Sequence, residues 1–224
     1  MVSREGTAVW DEALRMEVWR AMGYGDAVPE ERVSDAVDAL AERLVPSARL
    51  RYMCDFLPAE KISPTQISLG GETFAVGGII SSYLKGMERA CVFVATAGEE
   101  FDAAVRGVKA QGDILQDFIA DALGSVLAEN AVAMLEKDLV PEGGVSLPYS
   151  PGYCGWDIRE QHLLFSLFPP RPCGVTLSES SLMSPEKSIS GFFALGRDLV
   201  RQPYHCDICQ NQKCFKRRSA SQSR

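Results

Sequence analysis

Apolar residues along this chain recur with two periods, and the switches between them mark its elements. Over residues 8–22, Trp10, Leu14 and Val18 stand four apart, and Gly23 is placed to close a helix. Over 29–46, Pro29 opens and Pro46 ends a run in which Val33, Ala36, Val37, Leu40 and Leu44 share one helical face. The period then falls to two. Leu50, Tyr52, Cys54 and Phe56 alternate with Arg49, Arg51, Met53 and Asp55, which predicts a strand with one buried face and makes Cys54 a small core residue. Ile67 and Leu69 before Gly70-Gly71 suggest a short strand and turn, and Ile79, Ile80, Tyr83, Leu84 and Met87 suit a short helix. Cys91-Val-Phe-Val-Ala95 is apolar without interruption, so it predicts a strand buried on both faces. Thr96-Ala-Gly98 after it reads either as a ligand-facing turn or as an ordinary strand end.

The longest predicted helix covers 113–139, which contains no proline and carries Ala120, Ala122, Ala128 and Ala131, residues small enough to admit close neighbours. Asp121, Ser125 and Glu129 fall at i, i+4 and i+8 and draw one polar line on an otherwise apolar helix. That line is either a solvated stripe or a carboxylate floor able to hold a cationic group. After Val140-Pro-Glu-Gly-Gly144 the chain reaches Tyr149-Ser-Pro-Gly-Tyr-Cys-Gly-Trp156. Proline fixes φ and glycine permits φ > 0, so this is a turn whose backbone N–H groups can approach a ligand closely, or else a plain surface turn. Asp157 with Glu160 three residues on suggests a capping-box variant, and Ile158, Leu163, Leu164, Leu167 and Phe168 give the helix its apolar face before Pro169-Pro170. His162 on that helix carries no assigned role. Cys173–Leu177 and Ile189–Ala194 read as strands on either side of a second, serine-rich loop.

Composition narrows the function classes. The 224 residues are 46% hydrophobic and 24% charged, matching a globular domain with a real core, and a net charge of −7 argues against a nucleic-acid surface. No apolar run reaches the ~20 residues of a membrane span and the start lacks a signal-peptide pattern, so the expectation is a cytoplasmic protein with no membrane partner. The organisation expected is a helical segment over 1–46, an α/β core over 47–200 and a cysteine-containing tail over 201–224, with a disordered end. In that tail stands His205-Cys206-Asp-Ile-Cys209-Gln-Asn-Gln-Lys-Cys214. Cys206, Cys209 and Cys214 can fill three corners of a tetrahedral site for zinc or an iron–sulfur cluster, or can be free or redox-active thiols; only His205 nearby offers a fourth ligand.

Tyr149-Ser-Pro-Gly-Tyr153 with Gly155-Trp156, then Gly174-Val-Thr-Leu-Ser-Glu-Ser and Pro185-Glu-Lys-Ser-Ile-Ser-Gly191, together with Leu127-Ala-Glu129, resemble the activation (reactivation) domain of cobalamin-dependent methionine synthase. The closer similarity is to its small standalone homologues, over about residues 9–200. The resemblance implies an α/β (α+β) fold with a curved, mainly antiparallel sheet and flanking helices. It implies S-adenosylmethionine bound in a shallow groove by Gly152, Tyr153, Gly155 and Glu129, and no catalytic residue. The implied role is that of an accessory subunit for reductive methylation of a corrinoid held by a corrinoid-binding protein or methionine synthase modules, with a reductant protein as a further partner. Cobalamin would be carried by the partner, since no corrinoid-binding His motif is present here. Where the family has an arginine that grips the ligand carboxylate, this chain has Pro148, and Arg159 is a candidate replacement. A second reading, from a different class, is a metal-binding or redox interaction module acting through the tail cysteines.

Overall fold

The computed structural model describes residues 1–139 and 144–202. One long strand organises them: β2 (Leu50–Lys61) is 12 residues long, and each of its edges carries partners. Along one edge its first half pairs with β1 (Val2–Gly6) and its last residues pair with β3 (Ile67–Leu69). The other edge pairs with β5 (Arg89–Thr96). β4 (Glu72–Phe74) extends the sheet beyond β3, and β8 (Ser188–Leu195) extends it beyond β5. Every one of these pairings is antiparallel, and helices flank the sheet, as the expected α/β (α+β) class requires.

The sheet buries two different faces. Against one lie α1 (Glu12–Ala21), α2 (Glu31–Leu44), α4 (Glu99–Lys109) and the 26-residue α5 (Ile114–Leu139). The other is covered by α3 (Gly77–Tyr83), α6 (Gln161–Ser166) and irregular chain around Tyr149, Trp156 and Val175. β5 sits between them: Cys91, Phe93 and Ala95 face the helices while Ala90, Val92 and Val94 face the loops, all fully buried. This is why its sequence shows no alternation. Cys54 is buried on the helix face, as its place in the alternation predicts.

Local features at β1, α4, Cys173–Leu177 and Asp157 depart from the sequence reading or were not visible in it. β1, Val-Ser-Arg-Glu-Gly, is exposed over most of its length and so has no buried face to leave a pattern; backbone pairing with β2 and the ion pairs Arg4–Asp138 (2.6 Å) and Arg51–Glu5 (2.7 Å) accompany it. α4 escaped notice although Phe101, Val105 and Val108, spaced four and three apart, bury one face. The strand expected over Cys173–Leu177 shrinks to β6 (Thr176–Leu177), which pairs with β7 (Met183–Ser184). Its first half is a 3₁₀ turn in which Arg171 (φ 58°), Cys173 (φ 53°) and Gly174 (φ 81°) take left-handed conformations that no strand accommodates. Finally, Asp157 does cap the turn before α6 through Arg159 N (2.9 Å), but Glu160 bonds elsewhere, as described next.

Candidate functional site

The Pro-Gly-Tyr turn is fastened to the free edge of β8. Tyr149 and Phe192 exchange both backbone hydrogen bonds at 2.9 Å, and Ser146 N donates to Ala194 O at 3.0 Å, so residues 145–149 run along β8 as a further, irregular strand. The approach is close enough to demand glycine: a Cβ on Gly191 would stand 2.2 Å from the Tyr149 carbonyl oxygen. Beyond this anchor the chain turns back, with Gly152 N donating to Trp156 O at 2.8 Å and Trp156 N to Tyr153 O at 2.9 Å. Gly152 (φ 92°), Cys154 (φ 53°) and Gly155 (φ 85°) supply the left-handed conformations for this tight path.

Trp156 nails the turn to the core. Its indole is 2% exposed and lies edge-on to Phe74 (6.0 Å) and Phe192 (5.6 Å). The Trp156 Nε1–H donates to Glu160 at 2.6 Å, and the same carboxylate accepts from Ala75 N at 2.9 Å, which ties the turn to the end of β4. Glu160 therefore joins two elements instead of closing a capping box on Asp157. With its base locked, the turn leaves Tyr153 49% exposed and Gly152 and Gly155 at the surface.

The polar line on α5 runs along the helix flank beside β8. Lys187 Nζ donates to Asp121 Oδ1 at 2.7 Å and to Ser125 Oγ at 3.1 Å, so two members of the line are taken by a cation from the chain itself. The lysine stem crosses Gly124, where a Cβ would lie 2.7 Å from Lys187 Cγ. Two turns beyond Glu129, Glu136 pairs with Arg201, which follows β8. β8 thus enters beside Asp121 and its continuation leaves beside Glu136. Glu129, half-buried, stands between these two contacts on the helix, and Phe192, which anchors the turn, stands between them on the strand.

Arg159 is not poised as the missing carboxylate ligand: it pairs with Asp157 through Nε at 3.0 Å, and its side chain is 83% exposed. This pairing holds the Asp157 carboxyl down at about 2. Burial first, then Tyr83 and Cys154, raise the pKa of the Tyr149 phenol, and the charge of Arg201 acts against that rise. Pro148 itself has no N–H to offer. The metal ligands expected at Cys206, Cys209 and Cys214 lie outside the described residues. Two cavities elsewhere, one of about 220 Å³ by Arg51, Met53 and Cys173 and one of about 80 Å³ by Asp102, Arg106 and Arg171, include none of the expected site residues.

No protein-family model matches this chain, and no curated protein sequence matches it. A solved structure does: the crystal structure of the MetH reactivation domain bound to AdoHcy superposes with a TM-score of 0.64 at 18% identity, over 91% of this chain and 81% of that one. The fold is that of the MetH reactivation domain. Within this reactivation-domain fold, β8 is the strand that carries the Pro-Gly-Tyr turn on its free edge, and α5 carries the acidic line beside it. The motifs at 149–156 and 185–191 that resemble the family are thus neighbours, joined at the Tyr149–Phe192 pair and the Gly191 approach. Lys187 is the feature of this edge that sequence reading passed over. Its partners Asp121 and Ser125 lie more than 60 residues away in the chain, so no local pattern points to them.

Proposed function

We propose that this protein binds S-adenosylmethionine in an open groove along the β8 edge, with Gly152, Tyr153 and Gly155 on one side and Glu129 on the other. The observation that carries the reading is the shared fold with a reactivation domain bound to AdoHcy, the demethylated form of that ligand. The chemistry of the residues fits. A half-buried carboxylate is a natural partner for an ammonium or sulfonium, worth about 1.5–3 kcal/mol when hydrogen-bonded to a charged group, and an exposed tyrosine ring offers its face to the same cation. Two backbone positions with φ > 0 and no side chain let the ligand lie against the turn. The ligand carboxylate has no arginine at position 148 to meet it, which favours weaker binding than a full set of charged contacts gives.

The role that follows is accessory. Bound here, S-adenosylmethionine offers its methyl group to the reduced cobalt of a corrinoid carried by a separate polypeptide, such as the other methionine synthase modules, and leaves as the neutral thioether once a one-electron reductant protein has supplied the reduced cobalt. The chain's own residues hold and orient the sulfonium and perform no proton transfer. Calorimetric titration with S-adenosylhomocysteine tests the binding step: saturable heat with one site per chain is expected, and no heat at millimolar ligand overturns it. Methyl transfer from S-adenosylmethionine to a corrinoid protein captured under reducing conditions tests the role.

A further inference from the structure

S-adenosylmethionine ends in an amino acid, so a groove that takes it meets an ammonium and a carboxylate borne by one carbon atom. Glu129 suits the ammonium, and the carboxylate needs a cation within reach of the same end. Arg159, Arg201 and Lys187 lie along this side of the molecule. Arg159 is held by Asp157, with its side chain 83% exposed. Arg201 pairs with Glu136, about two helical turns beyond Glu129. Lys187 stands on the other side, at the level of Ser125 and about one turn before Glu129.

Lys187 is built into the edge. Its carbonyl accepts from Ala97 N at 2.9 Å and from Thr96 Oγ1 at 3.3 Å, which fixes the backbone where β8 begins. The side chain is 13% exposed, and its stem crosses α5 at Gly124, a poor helix former in the middle of a 26-residue helix. The missing Cβ makes the room: placed there, it would lie 2.7 Å from Lys187 Cγ and 3.0 Å from Cδ. At the far end Nζ donates to Asp121 Oδ1 at 2.7 Å and to Ser125 Oγ at 3.1 Å. An ammonium carries three donors, so among the described residues these two contacts leave one to spare. A mostly buried charge favours a further acceptor there, because desolvation penalises an ammonium that is not fully hydrogen-bonded. Along α5 the charges run minus at Asp121, plus at Lys187 and minus at Glu129, with one turn of about 5.4 Å between Ser125 and Glu129. The ammonium and carboxylate of one α-carbon, with a hydrogen bond of about 2.8 Å at each end, span such a gap.

We propose that Lys187 binds the ligand carboxylate: its third N–H takes the α-carboxylate of S-adenosylmethionine while Glu129 takes the α-ammonium, and the pair selects ligands with an intact amino-acid end. The assignment rests on the groove proposed above. One ammonium donor makes a single contact where a guanidinium fork makes two, in keeping with the weaker binding expected without an arginine at position 148. The test compares, by calorimetry on the full chain, S-adenosylhomocysteine with its decarboxylated analogue, which keeps the amine, the thioether and the adenosine. The unmodified protein should prefer the carboxylate-bearing ligand by ~10-fold or more, as one charge-assisted hydrogen bond predicts. Lys187→Met keeps an apolar stem over Gly124 and removes the charge, so it should bind S-adenosylhomocysteine no better than the analogue. Arg201→Met should retain the preference. Equal affinities in the unmodified protein, a preference that survives in folded Lys187→Met, or its loss in Arg201→Met instead overturns the assignment and leaves the groove standing. Binding of neither ligand overturns the groove, and the assignment with it. Acetylation of the unmodified protein followed by mass spectrometry covers the case in which Lys187→Met misfolds: S-adenosylhomocysteine should protect Lys187 and the decarboxylated analogue should not, and any other pattern overturns the assignment.

Discussion

The two faces of the sheet are built on different principles. The helix face, under α1, α2, α4 and α5, is a contiguous apolar core whose members include Val18, Leu40, Leu123, Leu127 and Phe93, and it is specified by periodic side chains. The loop face holds an apolar core as well, with Trp156, Phe74 and Phe192 at its centre, but its cover is irregular chain held by backbone contacts and by glycines at close approaches. Gly191 against Tyr149 O is one such approach, and Gly196 against Gly86 O, where a Cβ would stand 1.9 Å away, is another. One face is stabilised by volume. The other is shaped by conformation, and it supplies the Pro-Gly-Tyr side of the proposed groove.

That contrast yields opposite responses to substitution. Leu123→Ala on α5 opens a cavity in the helix-face core and should cost about 2–5 kcal/mol in urea unfolding while leaving S-adenosylhomocysteine affinity within a factor of about two. Gly191→Ala should cost less, about 1–3 kcal/mol, because Tyr149 can retreat; yet that retreat dislodges the turn, so ligand affinity should fall by more than about tenfold. Equal losses of affinity in both variants would erase the distinction. Glu160→Gln keeps the shape of the side chain but weakens the bonds to Trp156 Nε1 and Ala75 N; about 1 kcal/mol and a shift in tryptophan fluorescence are expected.

Alkaline pH gives the smallest effect. Burial pushes the Cys173 thiol on the loop face from 9.0 up to about 12, with Cys54 adding to and Arg51 opposing the shift. The folded value is the raised one, so this contribution is intact below about pH 9 and is lost as pH climbs from about 9 towards about 12. Stability measured by denaturant should decline over that window and decline less in Cys173→Ser.

The same division governs how much could be read from sequence. α1, α2, α5, β2 and β5 were legible because buried side chains recur at 3.6 or 2 residues or fill a whole strand. β1 was not, because an exposed edge strand is held by backbone bonds and leaves no apolar trace. The Cys173 turn was missed because its left-handed residues, Arg171 and Cys173, are not turn formers, and their conformation is imposed by the surrounding fold. At the candidate site the Pro-Gly-Tyr turn announced itself through proline and glycine. The contacts that locate it did not: the Tyr149–Phe192 pairing and the Lys187 bonds to Asp121 and Ser125 join residues more than 40 apart in the chain. Arg159, attractive in sequence as a replacement cation, is drawn off by Asp157 two residues away.

Hydrogen exchange with and without S-adenosylhomocysteine tests the location of the groove most directly. Ligand-dependent protection should appear at 150–156 and in the stretch of α5 around Glu129, and should vanish in Glu129→Gln at the same ligand concentration. Protection confined to the cavities at Arg51 and Cys173 or at Asp102, Arg106 and Arg171, with the β8 edge unchanged, would contradict the account.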